Sequence, residues 1–318
     1  MSHDASVDQA ILAVVAQRHA PPDTAAIMFP ITDLTDPRLI PARPDLADLR
    51  LHGRVDAERY VAGRNGRVIV PSAPLRRRPT LEAGIETEAV MGDSVAVYET
   101  RDGYAFVQLG SDGYVGYLPE TSVSSDAPAP THRVTALRTF LYPAANMKRP
   151  PLGHVSLGAG LHCVGREGDF LRLADGAHVF GDHCVPVGTV APDHAATAER
   201  LVGTPYLWGG RTSLGLDCSG LVQLCLAMAG IASPRDADQQ EAALGAPLPL
   251  SLDGLRRGDL VFWRGHVGMM LDETRLIHAN GYHMAVAVEP LSGAVERIAE
   301  KSYGAVTSLR RITPSIAS

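Results

Sequence analysis

The segment Gly203-Thr204-Pro205-Tyr206-Leu207-Trp208-Gly209-Gly210, followed by Leu216-Asp217-Cys218-Ser219-Gly220-Leu221-Val222, constrains this chain more than any other. Glycine-rich irregular backbone gives way there to an amphipathic helix, and Cys218 stands at the transition. A thiol at a helix N-terminus meets the positive end of the dipole and unpaired N–H groups, which favour the thiolate. Cys218 is therefore expected to act as a nucleophile. A base is available downstream in Gly258-Asp259-Leu260-Val261-Phe262-Trp263-Arg264-Gly265-His266-Val267-Gly268, and a second histidine in Arg275-Leu276-Ile277-His278-Ala279-Asn280. Both histidines sit in short apolar runs that predict adjacent antiparallel strands, so the two imidazoles should meet. The pattern is a nucleophile on a helix start, a base on one strand and an orienting group on the next.

Three separated motifs in this order resemble the NlpC/p60 family of papain-like cysteine peptidases, which cleave bacterial cell-wall peptides. They are the Asp-Cys-Ser-Gly box, the Gly-Asp-Leu-Val-Phe-Trp strand leading to His-Val-Gly, and the Ile-His-Ala strand. The resemblance covers roughly residues 191–318. It implies an α+β fold with a papain-like catalytic domain.

Composition suits a soluble protein. The 318 residues, 45% hydrophobic, can bury a sizeable core and predict about two or three domains. A net charge of -6 argues against a nucleic-acid partner, and the basic run Arg76-Arg77-Arg78 reads as a solvated strand edge or turn. The acidic start, with Asp4 and Asp8 ahead of a short apolar stretch, does not read as a secretory signal, and no run approaches the roughly 18 apolar residues of a membrane span. The expectation is a cytoplasmic protein with no membrane partner, and oligomeric state is not legible. Of the four cysteines, Cys225 lies seven residues after Cys218 on the same helix face and is expected in the core. The pairs His162-Cys163 and His183-Cys184 point to opposite strand faces, so no metal site is expected from them, nor any cofactor.

The modules read in sequence order. Residues 1–65 look like an extended or helical N-terminal arm: helical periodicity over Val7–Ala16, a stop at Pro21-Pro22, proline-braced chain to Pro44, and room for a short helix between Asp45 and Gly63. From Arg67 short strands separated by Gly and Asp turns predict a small barrel over 66–125, and Asp112-Gly113-Tyr114-Val115-Gly116-Tyr117 resembles the closing strand of bacterial SH3-like domains. After a Ser, Ala and Pro-rich linker, a second set of strands over 131–190, including one from Arg133 to Leu141, suggests a duplicated SH3-like barrel. Two SH3-like barrels ahead of a papain-like domain resemble the architecture of muropeptide endopeptidases.

That resemblance implies roles for further residues. His266 would take the thiol proton and return it to the leaving amine, while His278 orients His266. Tyr206 would assist the oxyanion, and Trp208 would line the cleft. Asp217, besides serving as a helix N-cap, and Ser219 would bond the D-glutamate region of the substrate. Asp236 would meet a substrate ammonium, together with Tyr114 and a glutamate of the first barrel. Glu82, Glu86 and Glu88 all qualify for that last role, and Glu88 is the working choice.

The implied activity is hydrolysis of the γ-D-glutamyl–diamino acid bond in peptidoglycan-derived peptides with a free N-terminal L-alanine, in peptide recycling. A wall-binding protein with a wall-lytic or inactive catalytic domain, and a papain-like acyltransferase, are the competing readings.

Overall fold

The structure, a computed structural model, describes residues 34–313. The helical stretch Val7–Ala16 and the Pro21-Pro22 stop lie outside the described residues.

The first β-module is one seven-stranded sheet, in the order Val123–Ser124, Arg64–Val68, Ser94–Arg101, Tyr104–Leu109, Val115–Pro119, Ser72–Arg76, Ile85–Val90. Alternation along Val115–Pro119 sends Gly116 and Leu118 inward, and the sheet closes on Leu75, Val95, Val107, Leu109 and Leu118. Asp102-Gly103 joins Ser94–Arg101 to Tyr104–Leu109 with positive φ at both positions, 52° and 80°. Such a pair matches the twist of a two-residue hairpin. The hairpin Ser72–Arg76 with Ile85–Val90 was not anticipated. Pro74 lies inside the strand, and Arg76, expected at a strand edge or turn, is its last residue and pairs with Ile85 and Tyr117.

The segment before this module is packed onto it. Ala42–Arg43, Leu46–Asp48 and Tyr60–Val61 form a small three-stranded sheet, and the expected short helix is a single 3-10 turn, Leu49–Leu51. Leu46 is fully buried with Tyr98 and Phe106, and the Tyr98 hydroxyl donates to Asp48 Oδ2 at 2.8 Å.

The second β-module has a core of Val134, Leu141, Val155, Leu161 and Val179, joined by Val90 from the first. The single strand expected from Arg133 to Leu141 is two: His132–Val134 in a three-stranded sheet and Arg138–Tyr142 in a five-stranded one. The two modules touch closely. Gly160 N–H donates to Met91 O at 2.7 Å, and a Cβ on Gly92 would lie 2.5 Å from Gly160 O.

The C-terminal region is built on a six-stranded antiparallel sheet, ordered Ala246–Pro247, Val306–Arg311, Leu260–Trp263, His266–Met270, Arg275–Asn280, Ala285–Pro290. Helices α1 (His194–Glu199), α2 (Cys218–Met228), α3 (Ala237–Ala243) and α4 (Leu291–Lys301) accompany it. One face packs α2 through Leu221 and Cys225 against Phe262, Val267, Met269 and Ile277. The other packs Leu291, Ala294 and Ile298 of α4 against Val261 and Trp263. Burial on both faces explains why the central strands are apolar throughout and why α2, sandwiched in the core, is apolar on nearly every side.

Candidate active site

Cys218 is the first residue of α2, placed there by Asp217, whose Oδ1 caps the helix by accepting from Gly220 N–H at 2.7 Å. Asp217 is fully engaged inside the protein. Its Oδ2 accepts from Gly209 N–H at 2.9 Å, and both oxygens accept from the guanidinium of Arg235, at 2.9 and 2.7 Å. Arg235 is completely buried and also donates to Ser219 Oγ at 2.9 Å and to Thr87 Oγ1 of the first β-module at 2.7 Å. A buried guanidinium must be paired, and the Asp217 and Ser219 side chains pair it.

The thiol is 8% exposed. Burial, and then the Asp217 carboxylate, push Cys218 up to about 12, against the Val267 N–H, Arg235 and the Ser219 N–H, which pull it down. Loss of solvation thus opposes the thiolate that the helix dipole favours. His266 is pushed the opposite way, down to about 3, by burial, by His278 and by Arg297. Burial therefore works against charge on both the thiol and the imidazole.

His266 and His278 lie on neighbouring antiparallel strands, with His266 Nε2 2.8 Å from His278 Nδ1. His278 Nε2 is 2.7 Å from Glu289 Oε1, and Glu289 is held in turn by Arg297. An ionised carboxylate only accepts, and the His278 partnership and Arg297 keep Glu289 low against the cost of its burial. His278 must therefore donate from Nε2 and accept at Nδ1. His266 must donate from Nε2, and its Nδ1 carries the free lone pair. The chain of contacts selects the basic tautomer.

Two tyrosines complete the surroundings. Tyr206 is half-buried, and its hydroxyl is pushed upward first by burial and then by Cys218 and Asp217, so it remains a donor. Tyr303 stacks on His266 with centroids 5.1 Å apart and planes 6° from parallel. A cavity of about 250 Å³ opens beside His266 and His278, lined also by Tyr282, Arg297 and Tyr303. Trp208 is 70% exposed and lies outside the buried set.

A second polar cluster spans the boundary with the first β-module. The hydroxyl of buried Tyr114 is 3.1 Å from Asp236 Oδ2 and 3.4 Å from Glu86 Oε2. Glu88, the working choice, is corrected: its Oε2 accepts from Arg211 N–H at 2.9 Å, which makes it a brace for the catalytic loop. The period-two alternation of Ile85–Val90 puts Glu86 and Glu88 on one face, but the fold gives only Glu86 to Tyr114.

Sequence reasoning missed Glu289, Arg297 and Tyr303. Glu289 had a signal: His278 pairs with Ala287, so a residue two further along shares its face. No strand was expected there, so the alternation went unused. His278, His283 and Glu289 offer ligand atoms within 4.8 Å of one another, but Arg297 and His278 already hold the carboxylate. All four cysteines are free, and Cys225 is wholly buried in the core.

A thiol at a helix start beside a histidine pair on an antiparallel sheet defines a thiol hydrolase. Residues 203–301 match the NlpC/P60 family, and residues 75–123 match the bacterial dipeptidyl-peptidase Sh3 domain. The chain thus carries an NlpC/P60 peptidase domain with a bacterial dipeptidyl-peptidase SH3 domain ahead of it. It is 27% identical over 250 residues to gamma-D-glutamyl-L-lysine dipeptidyl-peptidase of Bacillus subtilis (strain 168), covering 70% of this chain and 80% of that protein. The protein of the same name from Bacillus cereus (strain ATCC 10987) is 24% identical over 249 residues, covering 68% and 74%. The crystal structure of an NlpC/P60 family protein from Bacillus cereus ATCC 10987 shares the fold, with a TM-score of 0.65 and 22% identity over 79% of this chain and all of that one.

Proposed function

We propose that the protein hydrolyses the γ-D-glutamyl–diamino acid bond of peptidoglycan-derived peptides that carry a free N-terminal L-alanine. The observation that carries this reading is the Tyr114, Glu86 and Asp236 cluster, in which two modules jointly present carboxylates where a substrate ammonium would end. The names of the Bacillus relatives support the bond, with lysine as one diamino acid.

In the proposed reaction Cys218 Sγ attacks the γ-carbonyl carbon as its proton passes to His266 Nδ1. The Cys218 N–H at the helix start and the Tyr206 hydroxyl receive the oxyanion. His266 then returns the proton to the departing amine, leaving a thioester, and a water activated by His266 hydrolyses it to release L-Ala-D-Glu. Trp208 lines the approach. The second module, with a core drawn mainly from residues between 131 and 190, is read as another SH3-like barrel that buttresses the first. A site closed at the amine end suits released peptides, hence recycling.

The test compares L-Ala-γ-D-Glu-L-Lys, its N-acetylated form and intact sacculi by mass spectrometry of products. Cleavage confined to the free tripeptide is expected. Comparable kcat/KM on the acetylated peptide refutes the reading.

A further inference from the structure

The N-terminal segment, which the sequence left without a role, delivers one side chain to the amine cluster. Arg38 Nη1 donates to Asp236 Oδ2 at 2.8 Å, the same oxygen that faces Tyr114. Its remaining donors are also on carboxylates: Nε and Nη2 on Asp36 at 2.9 and 2.8 Å, Nη1 and Nη2 on Asp238 at 3.0 and 2.7 Å. The backbone of the same residue is fixed to the β-module, since Arg38 O accepts from Val115 N–H at 2.8 Å, one residue beyond Tyr114. Gln239 Nε2 closes the junction by donating to Asp36 Oδ2 at 2.8 Å.

We propose that Arg38 is a positioning residue for the ammonium subsite: it spans from the start of strand Val115–Pro119, next to Tyr114, to the start of α3 and fixes the Asp236 carboxylate between them. The inference rests on the proposed free-amine substrate. A guanidinium with three carboxylate partners and an anchored backbone is a strut rather than a displaceable plug, because removing it would leave Asp36 and Asp238 without their cation. Asp36, Asp236, Asp238 and Glu86 outnumber the nearby Arg38 and Arg77, since Arg235 is paired with Asp217, so the cluster retains negative charge to attract an ammonium. Burial pushes Asp236 upward while Arg235, and after it Arg38, pull it back.

The experiment measures kcat and KM for the free and N-acetylated tripeptides in wild type, Arg38→Met, Arg38→Lys and Asp238→Asn. For Arg38→Met, KM for the free tripeptide should rise about tenfold with kcat within about twofold, narrowing the preference for the free amine. Arg38→Lys should restore part of the preference. Asp238→Asn, a change at an exposed side chain that leaves Arg38 and Asp236 in place, should shift KM in the same direction by less, and it decides the matter if Arg38→Met does not fold. A lower KM in Arg38→Met would make Arg38 a competitor of the substrate and overturn the proposal, as would equal changes for both peptides. A wild type indifferent to acetylation fails the proposed function, and this inference with it. A selective wild type whose variants stay unchanged fails this inference alone.

Discussion

Glu289 Oε1 lies 2.7 Å from His278 Nε2, and this contact, two residues away from the thiol, decides which nitrogen of His266 is basic. Glu289→Gln offers an amide that can donate as well as accept, so the tautomer of His278 is no longer enforced. We expect kcat to fall roughly 10- to 100-fold with KM nearly unchanged, the scale seen when an outer partner of a functional histidine is lost. Steady-state kinetics check this, and unaltered kcat would place Glu289 outside the relay.

Cys218→Ala should abolish hydrolysis while the fold persists, since it deletes the attacking atom and little volume. Residual turnover above about 1% of wild type would reassign the nucleophile. Cys225→Ala, in the core, should stay active and lose on the order of 1 kcal/mol in urea denaturation.

Acid sensitivity follows from His266. Its folded value, about 3, is below the unfolded value of 6.5, so the unfolded chain binds the extra proton first as pH falls. Its contribution to stability is intact above pH 6.5 and is lost progressively toward pH 3. Chemical denaturation of wild type and His266→Gln across this window should show a shallower decline in the variant. Parallel declines would mean that other groups dominate.

Glu86→Gln and Glu88→Gln should separate cleanly although the residues are two apart. The first should raise KM for the free tripeptide about tenfold at similar kcat, from loss of charge beside Tyr114. The second should leave substrate preference alone and cost about 1 kcal/mol through the weakened brace to Arg211, read by thermal melting.

The central chemistry was legible because it is local: a thiol at a helix start and two histidines in apolar strands are patterns of a few consecutive residues. The residues that were misread are set by long-range packing. The Arg235 partnership of Asp217 and Ser219 was not foreseen because nothing in their neighbourhood announces that residue, which arrives 18 and 16 residues later. Glu86 could not be told from Glu88, since both lie on one face of the same strand, Ile85–Val90, and only the tertiary fold brings Tyr114 to one of them. The force that opposes a Cys218 thiolate was hidden for a related reason: the dipole is visible in a helix start, but the depth of burial is not.

Gly209, at φ +76°, runs so close to the first β-module that a Cβ there would lie 2.7 Å from Ile85 O, and the neighbouring strand supplies Thr87 to buried Arg235. The catalytic loop and the SH3 surface are thus cast against each other, like a key cut for one lock. Such a junction resists recombination. A chimera that keeps the peptidase and borrows another SH3 domain would leave the Nε–H of buried Arg235 without Thr87 behind its own nucleophile, even with Asp217 and Ser219 still in place, so this pair of surfaces is best exchanged as one.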